Sequence, residues 1–416
     1  MKIVVVGAGI IGLTSAYALV REGHAVTVLD ACHEPGQGTS YANGGQLSYS
    51  YVTPLADASI WKNLPHYLLH PDSPLTLRPR LDLAQWRWCV KFLLVCNARA
   101  SARATEALLR LAFHSRDCLA ALQQEVALDF DFRQAGKLVM VSSAAGLEAA
   151  RRQVDMQRAF GSEQQVLDMA QCVALEPALG ASGTRWRGGV YTPSEQVGDC
   201  AAFCTQLAAA LAQAGVQFAF DTTVSGAALE RGRAAALHTS AGDLAADCFV
   251  LANGCGGAQL ARRLGLDLPI YPLKGYSVTL ATGNGAAAPS ISITDLARKI
   301  VYARLGDRLR VAGRLEIVGG DLSPGGNRCQ ALADEARALF PGLPGGEPDI
   351  APWAGNRPST PTGVPIIGAS PLANVYVNAG HGALGWTLAC GSAALLADLI
   401  ERRAGAVSSD PFAYHA

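Results

Sequence analysis

The stretch Lys2-Ile3-Val4-Val5-Val6-Gly7-Ala8-Gly9-Ile10-Ile11-Gly12 decides how this chain folds. An apolar, β-branched run enters glycines spaced G-x-G-x-x-G, and the apolar period from Ile11 to Glu22 predicts a helix behind them. Gly7 permits the tight turn, Gly9 lets a pyrophosphate approach bare backbone, and Gly12 lets the helix pack close to its sheet. The helix start at Ile10 and Ile11 aims N–H groups and a positive dipole end at phosphates. Ala25-Val26-Thr27-Val28-Leu29 reads as a second strand, and Asp30 closes it. A carboxylate there accepts hydrogen bonds from ribose hydroxyls and repels a 2′-phosphate. Strand, glycine turn, helix, strand and acid together specify a dinucleotide site. On this motif alone NAD and FAD are both open.

The 416 residues suffice for two intertwined domains, and half of them are apolar. A formal charge of zero builds no field for nucleic acid. The first strand begins at residue 2, which leaves no room for a cleaved leader, so cytoplasmic synthesis is expected. Eleven cysteines without a C-x-x-C pair suggest neither a disulfide framework nor a metal site. No apolar run is expected to reach the ~18 residues needed to cross a bilayer. The segment Trp86 to Val95 mixes tryptophan, cations and aliphatics. Packing on the protein's own core is the expected reading, with peripheral contact at the inner face of the cell membrane kept open.

Along the chain, Gly36 to Gln46 forms a polar glycine-rich loop behind the ribose acid, suited to wrapping a pyrophosphate and reaching a flavin. A plain surface loop has the same composition. Pro54 to Pro79 reads as a proline-rich linker, and helix follows from Leu83 to about Glu125. A strand pair is expected at Phe130 to Phe132 and Lys137 to Val141, then helix at Ala144 to Phe160 and Asp168 to Leu175. Asp199 is the expected N-cap of a helix ended by Gly215. Cys248-Phe249-Val250-Leu251-Ala252 runs into Asn253-Gly254, and glycines at the carboxyl end of a strand are where an α/β sheet presents ligands. From Tyr271 to Val318 short alternating strands predict an antiparallel wall.

The last sixty residues separate the cofactors. The strand Val375-Tyr376-Val377-Asn378 leads through Ala379-Gly380-His381-Gly382-Ala383 into a helix opened by Leu384-Gly385-Trp386-Thr387. A second positive helix end suits the N1–C2=O edge of a reduced flavin. Nicotinamide chemistry has no need of it, so FAD is favoured. The fold class expected is α/β: a Rossmann-like FAD-binding domain with a central parallel sheet, plus an α+β substrate domain with a largely antiparallel sheet. The first is assigned residues 1–75, 190–265 and 350–416, the second 76–189 and 266–349.

With these residues stand Ser40 to Gln46, Glu195-Gln196-Val197-Gly198-Asp199-Cys200, Tyr271-Pro272-Leu273-Lys274-Gly275-Tyr276, Arg357-Pro358 and Gly380 to Thr387. In them the chain resembles the D-amino-acid dehydrogenases, within the glycine oxidase and D-amino-acid oxidase superfamily of flavoproteins, along nearly its whole length. The resemblance implies FAD-dependent oxidative deamination. Hydride passes from the α-carbon of a D-amino acid to flavin N5, the imine hydrolyses to a 2-oxo acid and ammonia, and a quinone or other respiratory acceptor takes the electrons. An oxidase or dehydrogenase for glycine, sarcosine, D-proline or hydroxyproline is the alternative.

Arg357 is the first choice for the substrate carboxylate, because a guanidinium offers a planar two-point grip. An interdomain salt bridge is the competing role. Tyr276 and Lys274 are expected along the substrate wall or flavin edge, or in a core. His381 is read as a positioning residue beside the flavin, since hydride transfer from a neutral amine needs no strong base at carbon. Ser40, Asn43, Gly44, Gly45, Gln46, Asn253, Gly254, Gly382, Leu384, Gly385, Trp386 and Thr387 are expected around the cofactor. By the resemblance, Val224 gives backbone contacts to adenine. Thr362 stands where relatives have Asp, and Arg314 where they usually lack an arginine, with pairing to Glu316 as its plain role.

Overall fold

The computed structural model describes residues 1–62, 64, 75–182, 185–283, 287–323, 325–345 and 350–415. Its first sheet has six strands in the order Ile366–Ala369, Val375–Ala379, Cys248–Leu251, Lys2–Val6, Ala25–Leu29, Gln217–Ala219. All neighbours are parallel except the edge pair Ile366–Ala369 and Val375–Ala379. Lys2–Val6 is central and buried on both sides, as its unbroken apolar run requires.

One face of this sheet carries the helices Ile10–Arg21, Ala98–Glu125, Cys200–Gln213 and Gly385–Ile400 around Leu13, Leu108, Phe203 and Leu388. The opposite face is covered by the helix Gly256–Arg263 and a three-stranded antiparallel sheet, Val224–Glu230, Arg233–Thr239 and Gly242–Ala245. Gly12 faces the turn directly: a Cβ there would fall on the carbonyl of Gly7. Asp199 accepts hydrogen bonds from the N–H groups of Ala201 and Ala202, as an N-cap does.

The second sheet runs Ile350–Ser359, Tyr271–Ala281, Arg308–Ile317, Ile300–Leu305, Ser292–Asp295, Lys137–Val141, Gly188–Thr192, Gln165–Asp168, with Leu75–Leu77 beside Arg308–Ile317. It is antiparallel apart from two contacts, Ser292–Asp295 with Lys137–Val141 and Leu75–Leu77 with Arg308–Ile317. The helix Gly326–Leu339 closes one face, packing its Leu332 and the following Phe340 in one cluster with Tyr276 and Val278.

Several expectations need correction. Phe130 to Phe132 is no strand, because Asp131 takes a left-handed φ of 55° that breaks the extended run, and the pairing passes to Arg133 opposite Val197. The helical stretch expected from Leu83 to about Glu125 is present as Leu83–Val95 and Ala98–Glu125, divided where Asn97 caps the second by accepting from the N–H of Ala100. The expected linker contains the strand Leu75–Leu77, and its residues 63 and 65–74 lie outside the described residues. Ala98–Glu125, assigned to the substrate part, packs on the nucleotide sheet's helices, and Ile350–Ser359, assigned to the FAD part, is an edge of the second sheet.

The apolar-run expectation also fails on length. Gly382–Ile400 spans 19 residues at mean hydropathy 1.6. Burial explains it: the helix lies between Ile10–Arg21 and Ala98–Glu125 in the core. Replacing Leu388, wholly buried there, with Ala is expected to cost about 2–5 kcal/mol of stability. Thermal unfolding of the purified protein should show a lowered midpoint with bound flavin retained, since Leu388 does not line the cofactor cavity.

Candidate active site

A cavity of about 1300 Å³ lies between the two sheets. Its walls include Gly7, Gly9, Ile10, Ile11 and Asp30 from the opening motif, then Ser40, Asn43, Gly44, Gly45 and Gln46 from the glycine-rich loop. Val224, Asn253 and Gly254 join them, as do His381, Gly382, Leu384, Gly385, Trp386 and Thr387. Gly12 is the one cofactor residue held back from the wall, where it packs the helix onto the turn.

The ends of this cradle are braced internally. The Asp30 carboxylate accepts from the N–H of Ala8 at 2.6 Å and of Cys32 at 2.8 Å, so it fixes the glycine turn to the following loop. Ser40 Oγ accepts from the N–H of Ile10 at 3.1 Å. Arg310, buried, donates to the carbonyl of Asn43 at 2.9 Å and to Thr279 Oγ1 at 2.7 Å, which pins the loop to the second sheet. The first turn of Gly385–Ile400 has no side-chain cap, so its N–H groups and positive end are left for a ligand. The Trp386 ring meets Phe130 edge-on and Phe203 at a tilt, and its Nε1 donates to the carbonyl of Gly198.

Arg357 is half-buried on the cavity wall, and its Nη1 donates to the carbonyl of Arg314 at 3.2 Å. Burial pulls its guanidinium down to about 10, with no charged neighbour opposing the shift. Among the described residues no carboxylate pairs with it, which disposes of the salt-bridge role. It lies over Gly275, where any Cβ would enter the guanidinium. Strand alternation sets this geometry: Leu273 is registered with Arg357, so Leu273, Gly275 and Arg357 share one face.

Lys274 and Tyr276 therefore point the other way. Lys274 Nζ reaches Asp321 Oδ2 at 3.2 Å and stands 5.3 Å from the Tyr276 ring, and Lys274 does not line the cavity. Tyr276 touches the cavity wall, but its hydroxyl donates to Glu316 Oε2 at 2.8 Å, and burial raises its pKa. The core role holds for both side chains. Arg314 does not pair with Glu316: it adopts φ 59° on the cavity wall, while Glu316 pairs with Arg328 at 2.9 Å. Thr362 Oγ1 accepts from the N–H of Val364 and so only shapes a turn.

His381 is buried on the wall, its Nε2 has no hydrogen-bond partner among the described residues, and burial pushes its imidazole down to about 3. Asn253 Oδ1, Asn356 Oδ1 and Asn378 Oδ1 are likewise buried and unpartnered along the cavity. Unmet acceptors, a glycine cradle and two helix N-termini fit a flavin dinucleotide. The sequence reading missed Arg310, Asn356, Asn378 and the buried Lys137. Arg310 and Lys137 left a trace, each a charge beside apolar strand residues.

These features define a flavin-dependent oxidoreductase, and the chain belongs to the family described as FAD dependent oxidoreductase, whose model matches residues 2–399. It is 47% identical over 422 residues to a D-amino acid dehydrogenase 2 of Ralstonia nicotianae, covering 99% of each chain. It is 48% identical over 405 residues to a D-amino acid dehydrogenase 2 of Pseudomonas aeruginosa, covering 97% of this chain and 95% of the relative. A glycine oxidase structure from Geobacillus kaustophilus shares the fold, with TM-score 0.78 at 23% identity over 100% of this chain and 98% of that one. The protein is an enzyme whose cofactor is FAD.

The depressed His381 value has a consequence for acid stability. Its folded value of about 3 lies below the ordinary imidazole value of ~6.5, so the unfolded chain binds the extra proton between them. The stability this site contributes is present above ~6.5 and is lost as pH falls toward about 3. His381→Asn should flatten the unfolding free energy against pH in that window by up to about one proton. An unchanged slope would show that the imidazole titrates normally.

Proposed function

We propose that the enzyme oxidises D-amino acids to 2-oxo acids and ammonia and hands the electrons to a quinone or other non-oxygen acceptor. The observation that carries the reading is Arg357: a half-buried, partly desolvated guanidinium, without an acid partner among the described residues, on the wall of the cavity that holds the flavin motifs. A cation so placed favours an anion, and the α-carboxylate of an amino acid supplies it in bidentate form. The relatives' names add the D-configuration.

When bound, FAD supplies the two-electron acceptor. Arg357 fixes the substrate carboxylate, and its support over Gly275 and from the carbonyl of Arg314 holds the planar fork in one orientation. Trp88, Phe92, Leu273 and Leu315 line the same cavity with apolar surface, which excludes water from the reacting carbon and favours the neutral amine. His381, uncharged at neutral pH, orients without competing for the amine proton. The imine formed by loss of hydride is hydrolysed by water.

Arg357→Ala should raise KM for D-amino acids by two orders of magnitude or more, about 3 kcal/mol or greater, while FAD stays bound. Anaerobic titration with D- and L-amino acids, glycine, sarcosine and D-proline, read by flavin bleaching, tests the class. Bleaching by glycine, sarcosine or D-proline in preference to acyclic D-amino acids that carry a side chain favours the alternative substrate class, and hydrogen peroxide yield against artificial-acceptor reduction separates oxidase from dehydrogenase. Native kinetics in Arg357→Ala sink the carboxylate assignment.

Peripheral membrane contact is part of the same proposal. The helix Leu83–Val95 buries Gln85, Trp88 and Phe92 but exposes Leu83, Trp86, Val90 and Leu94 on its other side. Leu81 and Trp61 extend this apolar face. The helix thus has two apolar sides, and an interfacial aromatic with flanking aliphatics suits a bilayer surface. Native enzyme should co-sediment with lipid vesicles, and Trp86→Glu with Leu94→Glu should abolish this without changing turnover with a soluble dye. Failure of the native enzyme to sediment rejects the contact.

A further inference from the structure

Lys137 opens the strand Lys137–Val141 and is buried on the cavity wall. Its ammonium donates to Ser48 Oγ at 2.7 Å and Gln46 Oε1 at 3.0 Å, and lies 4.9 Å from the centre of the Tyr51 ring. The N–H of Ser48 in turn donates to Thr387 Oγ1 at 3.0 Å. Thr387 sits in the uncapped first turn of Gly385–Ile400, so the ammonium is fixed beside the second positive helix end. Neither Lys137 nor its partners have a role in holding the substrate.

The acid that answers this lysine is Glu195, from a stretch whose glutamate has had no role so far. Glu195 is buried, accepts from the N–H of Ser50 at 2.8 Å, and forms no ion pair within 4.0 Å among the described residues. Burial raises the Glu195 carboxyl, opposed first by Lys137, and burial lowers Lys137 to about 8, opposed by Glu195. The lysine thus keeps its proton at neutral pH. A buried ammonium without a contacting carboxylate is costly, and its two neutral hydrogen bonds offset only part of that cost. The fold retains this cation on the wall of the cavity that carries the flavin motifs.

We propose that Lys137 is a fixed cation that meets the negative charge gathering on the N1–C2=O side of FAD on reduction, and that Glu195 balances it while the flavin is oxidised. Delivery of a hydride brings two electrons and one proton, hence one net negative charge. Lys137 faces it together with the helix end, worth roughly half a charge, and no proton leaves the lysine. The proposal rests on FAD binding but not on the identity of the substrate.

Sulfite is the probe, because its addition to oxidised flavin places negative charge on the same edge without any amino acid. The holoenzyme is titrated with sulfite by flavin absorbance, and its midpoint potential is measured at one pH by dye equilibration. Lys137→Met should weaken sulfite binding at least tenfold, about 1.4 kcal/mol, and make the potential more negative. Lys137→Arg, which keeps the charge, should restore both, whereas a purely structural lysine would leave both readouts unmoved in every variant that binds FAD. If Lys137→Met does not retain FAD, Lys137→Gln is read by the same criterion. Flavin-loaded neutral variants with sulfite affinity within twofold of native and an unshifted potential overturn the proposal, whatever the amino-acid titration shows.

Discussion

The crossing of Ile10–Arg21 with Gly385–Ile400 is the contact on which the site depends. Thr14 Oγ1 donates to the carbonyl of Ala389 at 3.2 Å, and Asn378 Nδ2 donates to Ser15 Oγ at 3.0 Å. The two helices bury Leu13, Leu19, Leu388 and Leu396 against one face of the parallel sheet. With both helices docked on one sheet, their N-termini open on the same cavity. One end suits a pyrophosphate and the other the electron-rich side of a reduced ring, so a single packing decision provides for both halves of the cofactor.

The second sheet adds the chemistry that the first lacks. Its adjacent strands Tyr271–Ala281 and Ile350–Ser359 alternate from Leu273 to Tyr276, so one face presents Gly275 and Arg357 while the other buries Tyr276 under Gly326–Leu339. Arg357 from this pair of strands and Lys137 from across the sheet both stand on the cavity wall without a contacting acid among the described residues. Their hydrogen-bond partners differ. The guanidinium rests on backbone and glycine, which leaves its fork free to grip, while the ammonium is tied down by Ser48 and Gln46.

Much of this was legible in the residues. Lys2 to Asp30 carries strand, turn, helix and acid in local order, and Cys248 to Gly254 announces a further strand of the same sheet. The second helix N-terminus was readable because glycines flank it in Gly380 to Gly385. What escaped depended on facing and on distance. Lys274 and Tyr276 sit beside Gly275 in sequence, yet a period of two turns them to the opposite side. Lys137 looks like a solvated strand end until Gln46 and Ser48, far earlier in the sequence, are brought against it. Phe130 to Phe132 alternates like a strand, but a left-handed Asp131 is invisible in composition.

The order of the central strands also bears on how the living cell completes the enzyme. Lys2–Val6 is made long before Val375–Ala379, which extends its sheet, and before the residues up to Thr387 that close its cradle. At about 5–20 residues per second, the nascent polypeptide waits tens of seconds with its glycine turn exposed before the opposite wall exists. A complete cradle therefore exists only after Gly385–Ile400 has been made, and loss of that helix by premature termination leaves a product that keeps its phosphate-binding turn but lacks the second helix N-terminus on the cavity.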